Sequence, residues 1–175
     1  DFNKAIEIDP QLAIAYYKRG SAKYYLKDYQ GAIADHNKAI GLDPQDADAY
    51  TSRGVAKYYL KDYQGAISDY NKAIAINPQY APAYLNRGNA KSELGDYQEA
   101  IADFSKAIEI DPQLAIAYYN RGGEKVNLND YQGAIADYNK AIDINPQYAD
   151  AYKNRGVSKG LSGDKQGMCL DWRQA

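Results

Sequence analysis

The chain has 175 residues, with 21 basic against 23 acidic side chains and a net charge of −2. That balance, with a pI near 5.4, argues against a nucleic acid or an anionic membrane as partner, because both select a basic excess or patch. One cysteine (Cys169) and one histidine (His36) cannot build a disulfide framework or a zinc site, and no window approaches the run of about 18 apolar residues needed to cross a membrane. Tyrosine is the anomaly: 19 are present, against two phenylalanines and one tryptophan. A bias of this kind points to one unit copied several times.

The copies are legible in chain order. Pro10, Pro44, Pro78, Pro112 and Pro146 recur every 34 residues, and so does the Arg-Gly pair at Arg19, Arg53, Arg87, Arg121 and Arg155. A fixed period of this length marks a solenoid built from one supersecondary unit. Residues 1–12 read as the end of a preceding unit. Full units follow at 13–46, 47–80, 81–114 and 115–148, with an incomplete one at 149–175. In the first, a helix is predicted over about 13–26 and a second over about 28–42, started by Asp28 as N-cap and stopped by Asp43-Pro44. Unit three alone spells a full capping box, Asp96-Tyr97-Gln98-Glu99. Gly31, Gly65 and Gly133 take the glutamate's place elsewhere, so those starts read as weaker.

With Ala13 as position 1, the full units share tyrosine at 4, glycine at 8, alanine at 20, alanine at 27 and proline at 32, with an aromatic at 24 in all but the first; in unit three these are Tyr84, Gly88, Ala100, Phe104, Ala107 and Pro112. The pattern resembles the tetratricopeptide repeat along the whole chain, as a tyrosine-rich, bacterial-type array. The resemblance implies an all-α, right-handed superhelical solenoid of antiparallel helix pairs, forming a single array. His36 departs from it at position 24 and is read as a core-edge residue; Cys169 is read as an inert, half-buried one.

On a helical wheel the first helix of each unit separates into two faces. One holds Tyr84, Gly88 and Ala90 and their equivalents, with Gly88 placed opposite Ala100 for close helix approach. Arg87 and Lys91 lie on that packing face, where the family pattern has apolar residues. Asp recurs at position 23 (Asp1, Asp35, Asp69, Asp103, Asp137, Asp171), so a ladder of Arg–Asp pairs over buried aliphatic stems is expected.

The other face, by the family resemblance, lines a concave groove for a peptide or a partner helix. Its candidate contacts are Tyr17, Lys18, Ser21, Tyr24, Thr51, Ser52, Val55, Tyr58, Leu85, Asn86, Asn89, Tyr119, Asn120, Lys153 and Asn154. Tyrosine offers large contact area with a polar tip. Asn86, Asn120 and Asn154 recur at one position, and a carboxamide both donates and accepts, as backbone recognition requires; the resemblance implies that use. The subtype that grips chaperone tails is not matched, since only Asn89 and Asn120 fit it and its cations are missing. Sparse, mixed groove charge points to a near-neutral segment.

No phosphate loop, nucleophile motif or cofactor box is present, so the expectation is a cytoplasmic protein–protein interaction scaffold without cofactor and not an enzyme. The alternative is a homo-oligomer stacking end to end: residues 1–20 repeat residues 103–122 except at Asn3/Ser105 and Lys18/Asn120.

Overall fold

The computed structural model describes residues 2–174, and these form α-helices joined by short turns with no strand among them. The helices are α1 (Phe2–Ile8), α2 (Ala13–Tyr25), α3 (Tyr29–Leu42), α4 (Ala47–Tyr59), α5 (Tyr63–Ile76), α6 (Ala81–Glu93), α7 (Tyr97–Ile110), α8 (Ala115–Asn127), α9 (Tyr131–Ile144), α10 (Ala149–Leu161) and α11 (Lys165–Trp172). They fall into two compact units, residues 1–90 and 91–175, which are taken separately. Among the described residues no helix is long and apolar enough to cross a membrane.

Local chemistry sets the helix boundaries. Asp28, Asp62 and Asp130 each accept a hydrogen bond at 2.9 Å from the backbone N–H three residues on, at Gly31, Gly65 and Gly133. At these three starts the carboxylate lies over the space a side chain would take, whereas Asp46 accepts from the Ala49 N–H at 3.0 Å with a Cβ present. A Cβ at Gly31 would stand 2.0 Å from Asp28 Oδ2, so any side chain there competes with the capping carboxylate for space. The expected ranking of helix starts is inverted: Asp96, ahead of the capping-box Glu99, makes no side-chain cap. Glu99 instead reaches Lys91 at 3.4 Å.

Each second helix ends on Asp or Asn in extended conformation before proline, the region to which a following proline confines a residue. Asp43, Asn77 and Asp111 then accept from the N–H of Gln45, Gln79 and Gln113 at 3.0 Å. This turn explains the recurring Asp/Asn-Pro-Gln triplet. The turn inside each pair needs a left-handed residue, which is Lys27, Lys61, Gly95, Asn129 or Gly163.

The core is built from small residues around one ring per pair. In the first unit, Tyr16, Ala39, Ile40 and Ala49 form one cluster and Ala66, Tyr70 and Ala90 another. In the second, Ala141, Ile142 and Ala151 cluster with Tyr118, Tyr119, Tyr148 and Tyr152. The repeating glycine of the first helix abuts this ring. A Cβ on Gly54 would lie 2.6 Å from Tyr70, and one on Gly122 2.9 Å from Tyr138.

The charged ladder is present within each unit. Arg53 Nε and Nη2 donate to the Asp69 carboxylate at 2.9 and 2.5 Å, and Lys57 pairs with the same carboxylate at 2.8 Å. Asp35 takes Arg19 and Lys23, Asp137 takes Arg121 and Lys125, and Asp171 takes Arg155 and Lys159. Asp1 lies outside the described residues. Burial alone would raise the Asp35 pKa, but hydrogen bonds from Arg19 and Lys23 hold it below the usual carboxylate value. Each guanidinium also covers the tyrosine three residues earlier, as Arg155 covers Tyr152 at 5.1 Å. Buried in this way, the two cations share one anion and complete its desolvated lone pairs.

Candidate functional site

In the first unit, α2 and α4 present Tyr17, Ser21, Tyr24, Thr51, Ser52 and Val55 to a single hollow of about 180 Å³. Tyr24 and Val55 also line a second hollow of about 270 Å³, together with Tyr58, Asn86 and Asn89. The shared residues make these one continuous surface. Eight of the fifteen sequence-derived contacts face water only in part there, and Thr51 is buried at 6% exposure. Lys18 is exposed, with its ammonium 5.4 Å from the Tyr17 ring. Leu85 is half-buried and lines neither hollow.

Tyrosines wall this surface by packing on one another. Tyr24 meets Tyr25 and Tyr59 edge-on at 5.5 Å, and Tyr29 stacks on Tyr59 at 5.3 Å. Tyr58 meets Tyr63 edge-on at 5.4 Å. Such contacts hold the rings in place against one another. Tyr25 is nonetheless 81% exposed and Tyr59 52%. Burial, then the hydrogen bond with Tyr59, pushes the Tyr24 phenol well above its ordinary pKa, so it serves as a neutral donor and acceptor.

The second unit arranges the equivalent face differently. Its hollow of about 270 Å³ is lined by Asn154, with Glu124, Asn127 and Tyr138 among its neighbours. Glu124 is buried and accepts from Ser92 at 2.6 Å and from Asn127 at 2.9 Å. Asn154 Nδ2 donates to Tyr119 Oη at 2.9 Å. Burial and the nearby Asp150 raise the Tyr119 pKa, against the Asn154 hydrogen bond. Tyr148, 4.9 Å from the Tyr119 ring, is pushed by burial up to about 12. Asn120 is half-buried and Lys153 exposed.

Sequence reasoning missed Glu124 as a lining residue of the second unit's hollow and His36 as the floor of the first. His36 was legible as the departure at position 24; its ring is wholly buried and lies 5.7 Å from Tyr17. Cys169 is exposed, not half-buried. Among the described residues no cluster of His, Cys, Asp or Glu could hold a metal ion.

A tetratricopeptide repeat model matches residues 47–80 and 81–114, and a TPR repeat model matches 20–61 and 124–163, together covering well over half of the chain. Among solved structures, the MamA protein is 25% identical over 93% of this chain and 88% of its own, with a TM-score of 0.83. YrrB, described as a TPR protein with an unusual peptide-binding site, is 22% identical over 99% and 89%, with a TM-score of 0.79. PilW, a type IV pilus biogenesis factor, is 21% identical over 99% and 80%, with a TM-score of 0.89. At these identities the last two speak to the fold alone. No curated protein sequence matches the chain.

Proposed function

The chain belongs to the tetratricopeptide repeat family, a family of protein-interaction scaffolds, and from that premise we propose that it binds an extended, near-neutral protein segment on its groove face. We take 13–46, 47–80, 81–114, 115–148 and 149–175 as the repeat frame of one array, with 1–12 closing a preceding repeat. The carrying observation is the continuous surface of the first unit, where Tyr24, Tyr58 and Tyr59 stay partly open around Asn86 and Asn89 and Tyr25 lines the adjoining hollow. Aromatic anchors beside carboxamides supply contact area and backbone hydrogen bonds together. The near-balanced charge favours a protein partner over nucleic acid or an anionic membrane. YrrB's described peptide-binding site lends the reading support by likeness of fold.

Peptide-library enrichment against the parent chain and against a chain with Asn86, Asn120 and Asn154 changed to Ala tests it. Enrichment by the parent and loss of it in the variant is the expected result. Equal enrichment would remove the asparagines from the site, and no enrichment by the parent would remove the groove reading.

A second reading, self-association, draws on α10 and α11, where Leu161, Leu170 and Trp172 are each more than half exposed. Light scattering across concentration checks it: a constant monomer mass, unchanged by Leu170→Lys, would exclude it.

A further inference from the structure

The hollow between α2 and α4 has a polar floor that nothing in the fold satisfies. His36 Nδ1, His36 Nε2 and Thr51 Oγ1 are buried without a hydrogen-bond partner among the described residues, and both side chains line the hollow. Buried polar atoms are almost always paired, so orphans grouped at the base of an open cavity mark a place built for a ligand's polar atoms. His36 is locked against Gly20, where a Cβ would stand 2.9 Å from its Cε1. The sister positions hold Tyr70, Phe104 and Tyr138. There the phenol of Tyr138 runs out towards the groove wall, its hydroxyl 3.9 Å from where a Cβ on Gly123 would lie. An imidazole is shorter than a phenol, and the cavity stands over it. Its volume of about 180 Å³ exceeds the roughly 30 Å³ of a single water.

We propose that this hollow is a subsite for the primary carboxamide of an asparagine or glutamine side chain in a bound protein segment. Its place within a longer segment rests on the groove reading above; its chemistry does not. The walls are Tyr17, Ser21, Tyr24, Tyr25, Ser52 and Val55, and no lining residue carries a fixed charge. The nearest charges are committed elsewhere, Asp35 to Arg19 and Lys23 and Arg53 to Asp69. An entering carboxylate or ammonium would therefore lose its hydration uncompensated, and an alkyl group would leave the floor unpaired. Burial holds the His36 imidazole neutral, with a pKa of about 4, so the ring offers one donor and one acceptor at neutral pH. A carboxamide offers the complement, with its carbonyl and NH₂ spanning ring and threonine hydroxyl.

The test uses the uniqueness of His36, whose ring ¹⁵N signals carry no overlap from another histidine. The intact chain is titrated at neutral pH with N-acetyl-glutamine methylamide, its glutamate analogue and its norleucine analogue. The expected result is a His36 ring shift with the glutamine probe at an affinity at least about tenfold above the other two, and a further loss of about tenfold in Thr51→Val. His36→Tyr restores the ring of the sister repeats and keeps the fold. It should abolish the glutamine-specific shift of the Gly20 amide. Equal shifts from the three probes, no shift from any, or unchanged binding in Thr51→Val would each overturn the subsite. The probes report on this hollow whether or not a longer peptide binds, so failure of the subsite and failure of the groove are read separately.

Discussion

The two units spend the same template in opposite ways. In residues 2–90 one helix position and the next carry Tyr24, Tyr25, Tyr58 and Tyr59, and unpaired His36 and Thr51 atoms floor the hollow beside Tyr24 and Tyr25. In residues 91–174 the equivalent places hold Val126 and Asn127, and the polar groups close on themselves through Glu124, Ser92, Asn127, Asn154 and Tyr119. Packing and the Arg–Asp–Lys ladder are common to both. The difference teaches that one template can leave polar groups unsatisfied or pair them internally, and a group already paired must break that bond before it can serve a ligand.

The largest expected effect tests what the units share. Asp69→Ala and Asp137→Ala each strand two half-buried cations, and each should cost about 3 kcal/mol in urea unfolding. A silent Asp137→Ala would mean that the second unit is held by other forces.

The next separates the units by pH. The His36 pKa falls from 6.5 in the unfolded chain to about 4, chiefly through burial, with Arg53 also lowering it and Asp35 opposing. A depressed folded value means that the unfolded state binds the proton first. The neutral ring's stabilisation is thus complete above 6.5 and is lost as pH falls towards 4, by about 3 kcal/mol in all. His36→Phe should flatten that part of the stability profile relative to the parent, whereas Tyr138→Phe should leave it unchanged.

Binding should also distinguish the two faces. Tyr59→Ala is expected to weaken peptide affinity about tenfold by calorimetry, and Asn154→Ala by less, since its amide already donates to Tyr119. Equal losses would show that the paired asparagine opens at little cost.

The smallest effect lies in the turns. Lys27 and Lys61 hold φ of 63°, where Gly95 and Gly163 stand in sister repeats. Replacing either lysine with glycine should raise stability by about 0.5–1 kcal/mol, as relief of left-handed strain outweighs glycine's added unfolded-state entropy. Thermal unfolding of Lys27→Gly checks it.

Much of this molecule is decided by local chemistry that a sequence displays. The 34-residue recurrence of Pro44 and Arg53 and their copies implies the helix pairs, because proline and an Asx residue stop a helix whatever surrounds it. The position-23 aspartates could likewise be matched to the cations they neutralise, since buried charge must be paired. Three features needed the tertiary structure. The Asp28 cap forms without the capping-box glutamate, and only coordinates reveal how closely its carboxylate sits over Gly31. Glu124 turned out buried because Ser92 and Asn127 converge on it from other turns. And His36, a single odd letter in the repeat, became the floor of a cavity only once the walls of α2 and α4 were in place, since orphaned atoms are defined by the neighbours that fail to reach them.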